Sequence, residues 1–110
     1  MKAVYPCVIS WSEDDQVYNV EFPDLENCFT YGYDLFEVLE NAEDVLNLML
    51  SGWEEDHGLH DWPPKPSRIK DIELKDGEIA ELIRADTDEY AAMLRRKGIE
   101  KQYCYDRPAI

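Results

Sequence analysis

The sequence predicts an α+β domain with the element order strand–strand–strand–helix–strand–helix, a βββαβα arrangement with packed helices on a mixed sheet. Period-2 alternation in the first third of the chain predicts the early strands, and a long apolar stripe at 3.6-residue spacing predicts the main helix. The length of 110 residues and an apolar content of 45% fit one folded domain with one modest core.

Three strands open the chain. Tyr5–Trp11 is an apolar run, and the acidic run 13–15 after it reads as the loop of a hairpin. Tyr18–Phe22 alternates apolar and polar residues, as expected of a strand with one buried face. Pro23 ends that strand because proline supplies no N–H to a sheet. Cys28–Tyr31 then predicts the third strand.

The first helix has the clearest start signal. Asp34 is placed to cap it, and Glu37 completes a capping box. Gly52 favours an end there, with Asp56 as the alternative end. We expect one face to pack on the sheet, formed by Leu35, Val38, Leu39, Ala42, Val45, Leu46, Met49 and Leu50.

Residues 61–67 carry three prolines, which exclude a helix or a central strand and predict a stiff crossover loop. Glu78–Ala85 predicts the fourth strand. Asp86 and Glu89 offer a second capping box. A short apolar stripe follows and predicts the second helix, with Tyr90, Met93 and Leu94 on one side.

The early part of the chain resembles the HicB antitoxin family. The matching positions, in order, are Tyr5-Pro6, the acidic turn 13–15, Phe22-Pro23-Asp24-Leu25, Cys28, Thr30 and Gly32. The resemblance implies a partial ribonuclease H-like (HicB-like) fold. It covers residues 1–97 as a HicB-like domain and leaves 98–110 as a C-terminal tail with a possible edge strand.

Members of this family commonly continue into a DNA-binding module. The residues after Lys97 are too few for the two helices of a ribbon-helix-helix or a helix-turn-helix. We therefore expect no direct DNA binding by the isolated chain.

The charge favours a protein partner. Eleven basic and 25 acidic residues give a formal net charge of −14, which repels nucleic-acid phosphates and attracts basic proteins. The alternative is that this charge only confers solubility. The basic residues after Ala91 either complement a helix C-terminus or contact nucleic acid, and we favour the first. The resemblance implies a small basic HicA-type ribonuclease toxin as the partner, neutralised by masking of its RNA-binding surface.

A ribonuclease H-like fold raises the question of nuclease activity. Those enzymes hold two metal ions with carboxylates that include one on the first strand. Tyr5–Trp11 contains no Asp or Glu, so we expect no enzyme, no catalytic residue, no metal site and no cofactor. His57 and His60 lie among acids, but we interpret them as surface residues at a helix end. A degenerate nuclease remains the least favoured alternative.

The cysteines and the N-terminus point to the cytoplasm. Cys7, Cys28 and Cys104 are odd in number and widely spaced, which is unlike a disulfide framework. The start of the chain shows no signal peptide, and no apolar run approaches the length of a membrane span. We expect Cys7 and Cys28 to be small core residues and the protein to have no membrane contact.

Aromatic residues exceed what a small core can hold, which indicates use at interfaces. They include Trp11, Tyr18, Tyr31, Tyr33, Trp53, Trp62, Tyr103 and Tyr105. We assign partner binding to Asp24, Glu26, Tyr31 and Tyr33. We also expect the turn 22–25 to bury Phe22 and Leu25, with Asp24 bonded to the turn backbone.

Tyr103 and Tyr105 would share one face of a terminal strand, and we assign them to self-association as a homodimer. A frayed tail on a monomer is the competing interpretation. A stand-alone regulatory binding protein without a toxin is the main functional alternative.

Overall fold

The computed structural model describes residues 1–56 and 63–98. Its elements, in chain order, are β1 Lys2–Ser12, β2 Val17–Glu21, β3 Phe29–Gly32, α1 Leu35–Asp56, β4 Ile79–Asp86 and α2 Thr87–Arg96, with a short 3-10 helix at Ile69–Asp71 before β4. The predicted βββαβα order and α+β class are confirmed. His57, His60, Trp62, Cys104, Tyr103 and Tyr105 lie outside the described residues, so predictions on them stay predictions.

The four strands of the described chain form one sheet in the order β3-β2-β1-β4, and every neighbouring pair is antiparallel. The expectation of a mixed sheet was therefore wrong. The reason lies in the long connection after α1. The helix begins beside Gly32. It ends near the start of β1, where the Glu54 carboxylate lies 3.5 Å from the Met1 amino group. The chain must then travel back along the sheet before β4, so β4 runs opposite to β1.

The core lies between α1 and one face of the sheet. Strand alternation places Tyr5, Cys7 and Ile9 of β1 on that face, where each is nearly inaccessible to solvent. The rest of the cluster comes from β2, the turn after it, α1 and β4: Val20, Phe22, Leu25, Cys28, Val38, Ala42, Leu46, Met49, Leu50, Ile83 and Ala85. We call the opposite side of the sheet the outer face.

The start of α1 is capped as predicted. The Asp34 carboxylate accepts the N–H of Glu37 at 2.8 Å, and the Glu37 carboxylate accepts the N–H of Tyr33 at 2.7 Å. The Glu37 side chain thus bonds the N–H of Tyr33, the residue before the cap, and not that of the cap residue Asp34. Close packing continues at Gly32, where an added Cβ would lie 2.6 Å from the Val38 nitrogen.

One prediction about α1 was wrong at its N-terminal end. Val38, Ala42 and Leu46 are fully buried, but Leu35 and Leu39 are 46% and 37% exposed. Both are among the first five residues of the helix, directly after β3 ends. The apolar stripe of the helix is therefore longer than the part of it that the core covers.

The side-chain amide of Asn47 connects the start of the second helix to the first helix. Asp86 caps α2 by accepting the N–H of Glu89 at 3.2 Å, which confirms the predicted cap. The main-chain N–H of Asp86 in turn donates to the Asn47 side chain of α1 at 3.0 Å. Asn47 is buried and also donates to the Glu43 carbonyl, so both helices meet at the end of β4.

Candidate protein-docking surface

Exposed apolar side chains are concentrated in one short stretch. Six of the twelve large hydrophobic residues that are exposed in the described chain fall between positions 29 and 39: Phe29, Tyr31, Tyr33, Leu35, Phe36 and Leu39. Single exposed hydrophobic residues are normal, but this concentration in one short segment of a small acidic domain indicates an interaction site.

Strand and helix periodicity together build this group. Phe29 and Tyr31 alternate onto the outer face of β3, with 56% and 54% of their surface exposed. Tyr33 continues the row, and its ring meets that of Tyr31 edge-on at a centroid distance of 6.1 Å. Phe36 follows in the first turn of α1 and is 79% exposed. We call Phe29, Tyr31, Tyr33 and Phe36 the aromatic surface; these exposed rings are close together in the chain, and the recorded ring contact among them is that of Tyr31 with Tyr33.

Side chains of α1 fix the backbone beneath the two tyrosines. The Asn41 amide donates to the Tyr31 carbonyl at 2.9 Å. The Glu37 carboxylate holds the Tyr33 N–H. These bonds hold the main chain that carries both rings, so less backbone freedom is lost when a partner binds.

The segment of the chain that carries the aromatic surface contains acidic residues and no basic ones. No Lys or Arg occurs between Lys2 and Lys65, whereas fifteen Asp and Glu residues do. On α1, Glu40, Glu43 and Asp44 are exposed, and none of them joins an ion pair within the described residues. Their field therefore reaches solvent and favours a cationic partner.

Asp24 has partners within the fold, and its assignment to partner binding stays a prediction. Its carboxylate accepts the main-chain N–H of Ser67 at 2.8 Å and the Ser67 hydroxyl at 2.6 Å. The expectation that Asp24 bonds its own turn was wrong, because main-chain bonds already close that turn: Leu25 N–H to the Phe22 carbonyl and Cys28 N–H to the Leu25 carbonyl. The predicted burial of Phe22 and Leu25 is confirmed.

A second contact reinforces this connection. The Tyr5 hydroxyl donates to the Pro64 carbonyl. Burial, together with the nearby Asp24 charge, raises the pKa of Tyr5 above its ordinary value. Tyr5 and Asp24 therefore hold residues 63–67, which we call the strap, against the body of the domain. Glu26 is exposed in the same turn, and its assignment to partner binding stays a prediction.

The sequence pattern points to Tyr and Trp as interface aromatics and does not single out Phe29 and Phe36. A signal for Phe36 was present. At 100° per residue it lies about 200° around the helix from Val38, away from the apolar stripe. The uninterrupted lack of Lys and Arg around it was a second signal.

Metal ligands and thiol groups are the features of the described residues that bear on hydrolytic chemistry. No three side chains among His, Cys, Asp and Glu converge there as metal ligands, and β1 carries no carboxylate. Burial and the neighbouring Glu81 raise the pKa of the Cys7 thiol to about 11, so it stays protonated at neutral pH. None of the described helices has the length and apolar character to span a membrane.

A family profile described as "HicB_like antitoxin of bacterial toxin-antitoxin system" matches residues 5–99. No curated protein sequence matches the chain significantly.

Two solved structures share the fold. One belongs to a toxin-antitoxin complex from Streptococcus pneumoniae, with a TM-score of 0.71 and 20% identity over 91% of each chain. The other belongs to a HicA3 and HicB3 toxin-antitoxin complex, with a TM-score of 0.60 and 22% identity over 76% of this chain and 99% of that one. At such identities the similarity establishes the fold alone.

Proposed function

Because the chain belongs to the HicB-like antitoxin family of bacterial toxin–antitoxin systems, we propose that it binds and neutralises a small basic HicA-type ribonuclease toxin. The observation that carries this proposal is the aromatic surface, which lies in a stretch of the chain without Lys or Arg. Both structural neighbours come from toxin-antitoxin complexes, which supports a toxin as the partner.

Neutralisation is steric and electrostatic. Tyr31, Tyr33 and Phe36 provide large, exposed rings as anchors at low entropy cost. The carboxylates of Glu40 and Glu43 face the cations with which a ribonuclease binds RNA phosphates. The antitoxin thereby occupies the RNA-binding face of the toxin and competes with RNA for it.

The protein acts by binding and not by catalysis. It works in the cytoplasm, where the toxin meets RNA. It forms a homodimer, and with a net charge of −14 the isolated chain does not bind operator DNA. A mobility-shift assay at moderate salt, on DNA upstream of its own gene, should show no specific complex. Sequence-specific retardation would contradict this part of the proposal.

Calorimetric titration with a purified basic protein encoded next to this gene tests the proposal directly. We expect a one-to-one protomer complex and full protection of RNA from cleavage by that protein. If the neighbouring gene encodes no such protein, or if the two proteins do not bind, the stand-alone regulatory alternative replaces the antitoxin. Metal-dependent RNA cleavage by the isolated chain would instead revive the degenerate nuclease.

A further inference from the structure

The outer face of the sheet carries a depression next to the aromatic surface. Its volume is about 340 Å³, enough for one long side chain or a small molecule. Strands β1, β2 and β3 supply most of its wall, and the residue just before β4 joins them. We call it the outer depression. Its lining includes an aliphatic residue, an aromatic residue and four polar ones: Val8, Phe29, Ser10, Asn19, Glu21 and Glu78.

Strand register explains why these residues converge. Glu21 of β2 lies opposite Val8 on one side and Phe29 on the other. In the next row on the same face, Asn19 lies opposite Ser10. Directly opposed side chains on one face of antiparallel strands have Cβ atoms about 5 Å apart, so each row forms one group. Phe29 therefore belongs both to the aromatic surface and to the wall of the outer depression.

Several oxygen acceptors in the outer depression are not used within the fold. The side chains of Ser10, Asn19 and Glu21 form no hydrogen bond or ion pair with other described residues. The neighbouring turn 12–16 differs, because its polar side chains bond to one another and to their own main chain. The polar groups of the depression thus remain available to a ligand.

The charge of the outer depression is negative. Glu21 and Glu78 bring two carboxylates to it, and Glu78 uses one oxygen to accept the main-chain N–H of Lys75 at 2.7 Å. The Lys75 side chain joins no ion pair within residues 1–56 and 63–98. None of the lining residues is Lys or Arg. The ligand that suits this site is therefore a cation.

We infer that the outer depression binds an arginine side chain of the basic partner protein. A guanidinium stacks on an aromatic face while its N–H groups bind a carboxylate in pairs, and Phe29 and Glu21 offer both partners. Its further N–H donors match the oxygens of Ser10 and Asn19. A lysine ammonium has fewer donors and no planar surface, so it uses this lining less completely. This inference rests on the proposed function and adds the chemical group that is recognised.

The position of the outer depression selects a protein as the source of the guanidinium. Asn19, at the depression, lies opposite Tyr31 of the aromatic surface. A partner that covers Tyr31 and Phe29 also covers the depression and excludes water from its carboxylates, which strengthens a charge pair there. Free arginine gains only the contacts inside the depression.

NMR titration of the full-length chain with a capped Gly-Arg-Gly peptide tests the site itself. Glu21→Gln keeps the shape but removes the charge, so it should weaken peptide binding by about fivefold or more. Glu55→Gln is the matched control, because it removes one charge from an exposed position near the end of α1. It should change the affinity by less than about twofold. A capped Gly-Lys-Gly peptide should bind more weakly than the arginine peptide. The largest amide shifts should fall at Ser10, Asn19, Glu21 and Phe29.

Three results would overturn the inference. The first is equal affinity of wild type and Glu21→Gln for the arginine peptide. The second is a set of shifts spread over the acidic surface without concentration at the outer depression. The third is a lysine peptide that binds as tightly as the arginine peptide, which would contradict recognition of a guanidinium.

Calorimetric titration with the basic protein encoded next to this gene separates the inference from the proposed function. Glu21→Gln should weaken that complex by about tenfold, and Glu55→Gln should leave it unchanged. Circular dichroism should show native folding of both variants. Unchanged affinity in Glu21→Gln would overturn the arginine site and leave the antitoxin proposal standing. A chain that binds the arginine peptide in the depression but does not bind the basic protein would contradict the antitoxin proposal alone.

Discussion

Asp24 and Ser67 are 43 residues apart in the chain, yet one carboxylate accepts both the main-chain N–H and the hydroxyl of the serine. This pair fastens the strap to the turn between β2 and β3. Tyr5 fastens it a second time through the Pro64 carbonyl. Two residues of the family-like motifs, Tyr5 and Asp24, thus position a crossover loop.

We expect Asp24→Ala to lower the free energy of unfolding by about 1–2 kcal/mol, because it removes both bonds to a charged acceptor at a partly exposed site. Ser67→Ala removes only the hydroxyl bond and should cost about half as much. In urea denaturation, the double variant should be no less stable than Asp24→Ala alone. Glu26→Ala, in the same turn, is the control and should change stability little. Additive costs of the two substitutions would show that Asp24 and Ser67 act independently.

Gly32→Ala should be among the most damaging single substitutions. The new Cβ would lie 2.6 Å and 2.8 Å from the nitrogen and Cα of Val38, which are main-chain atoms that cannot rotate away. We expect a loss of about 3 kcal/mol, at the upper end of overpacking costs. Gly77→Ala is the comparison: its φ of +83° is strained for alanine, but nothing lies near the added Cβ, so about 1 kcal/mol is expected. Thermal denaturation measures both, and similar costs would contradict the assigned clash.

Leu25→Ala tests whether the turn after β2 is part of the core. Leu25 is 4% exposed and packs in the main cluster. Truncation should cost about 2–5 kcal/mol, the range for large-to-small changes in cores. An unchanged melting temperature would show that the turn contributes nothing to stability.

Alkaline pH should destabilise the protein through Cys7. The thiol ionises near pH 9.0 in the unfolded chain but has a pKa of about 11 in the native state. Below the lower value both states are protonated; between the two values only the unfolded state loses its proton, so stability falls as pH rises. The raised pKa of Tyr5 acts in the same direction. Denaturation at a series of pH values should show a smaller decline in Cys7→Ala than in wild type, and equal declines would contradict burial of the thiol.

Toxin binding should depend on a few rings. We expect Tyr33→Ala and Phe36→Ala each to weaken binding by about tenfold or more, a loss of at least ~1.4 kcal/mol typical of interface anchors. Both side chains are more than half exposed, so stability should change little. Leu74→Ala, 45% exposed in the connection between the 3-10 helix and β4, serves as the control. Calorimetric affinities equal to wild type in both ring variants would place the toxin elsewhere.

Only part of the candidate site could be located from the sequence. Aromatic excess, which is visible in composition, led to the assignment of Tyr31 and Tyr33; the structure places their rings in contact, and their role in partner binding stays a prediction. The assignment of Asp24 to the partner stays a prediction, but the sequence did not reveal that its carboxylate also bonds Ser67 within the fold. A distant serine in a proline-rich loop leaves no local signal, so such a pair cannot be found by pattern alone.

Short-range sequence patterns determined the secondary-structure elements. Alternation, proline and the Asp34 and Asp86 caps reflect short-range sterics and hydrogen bonding, so the order and approximate bounds of the strands and helices follow from the sequence. Only the tertiary structure decided the direction of β4, the exposure of Leu35 and Leu39, and the role of Asp24. Each depends on where distant segments meet in space. Periodicity states which side of an element is apolar, but not how far the opposing layer extends to cover it.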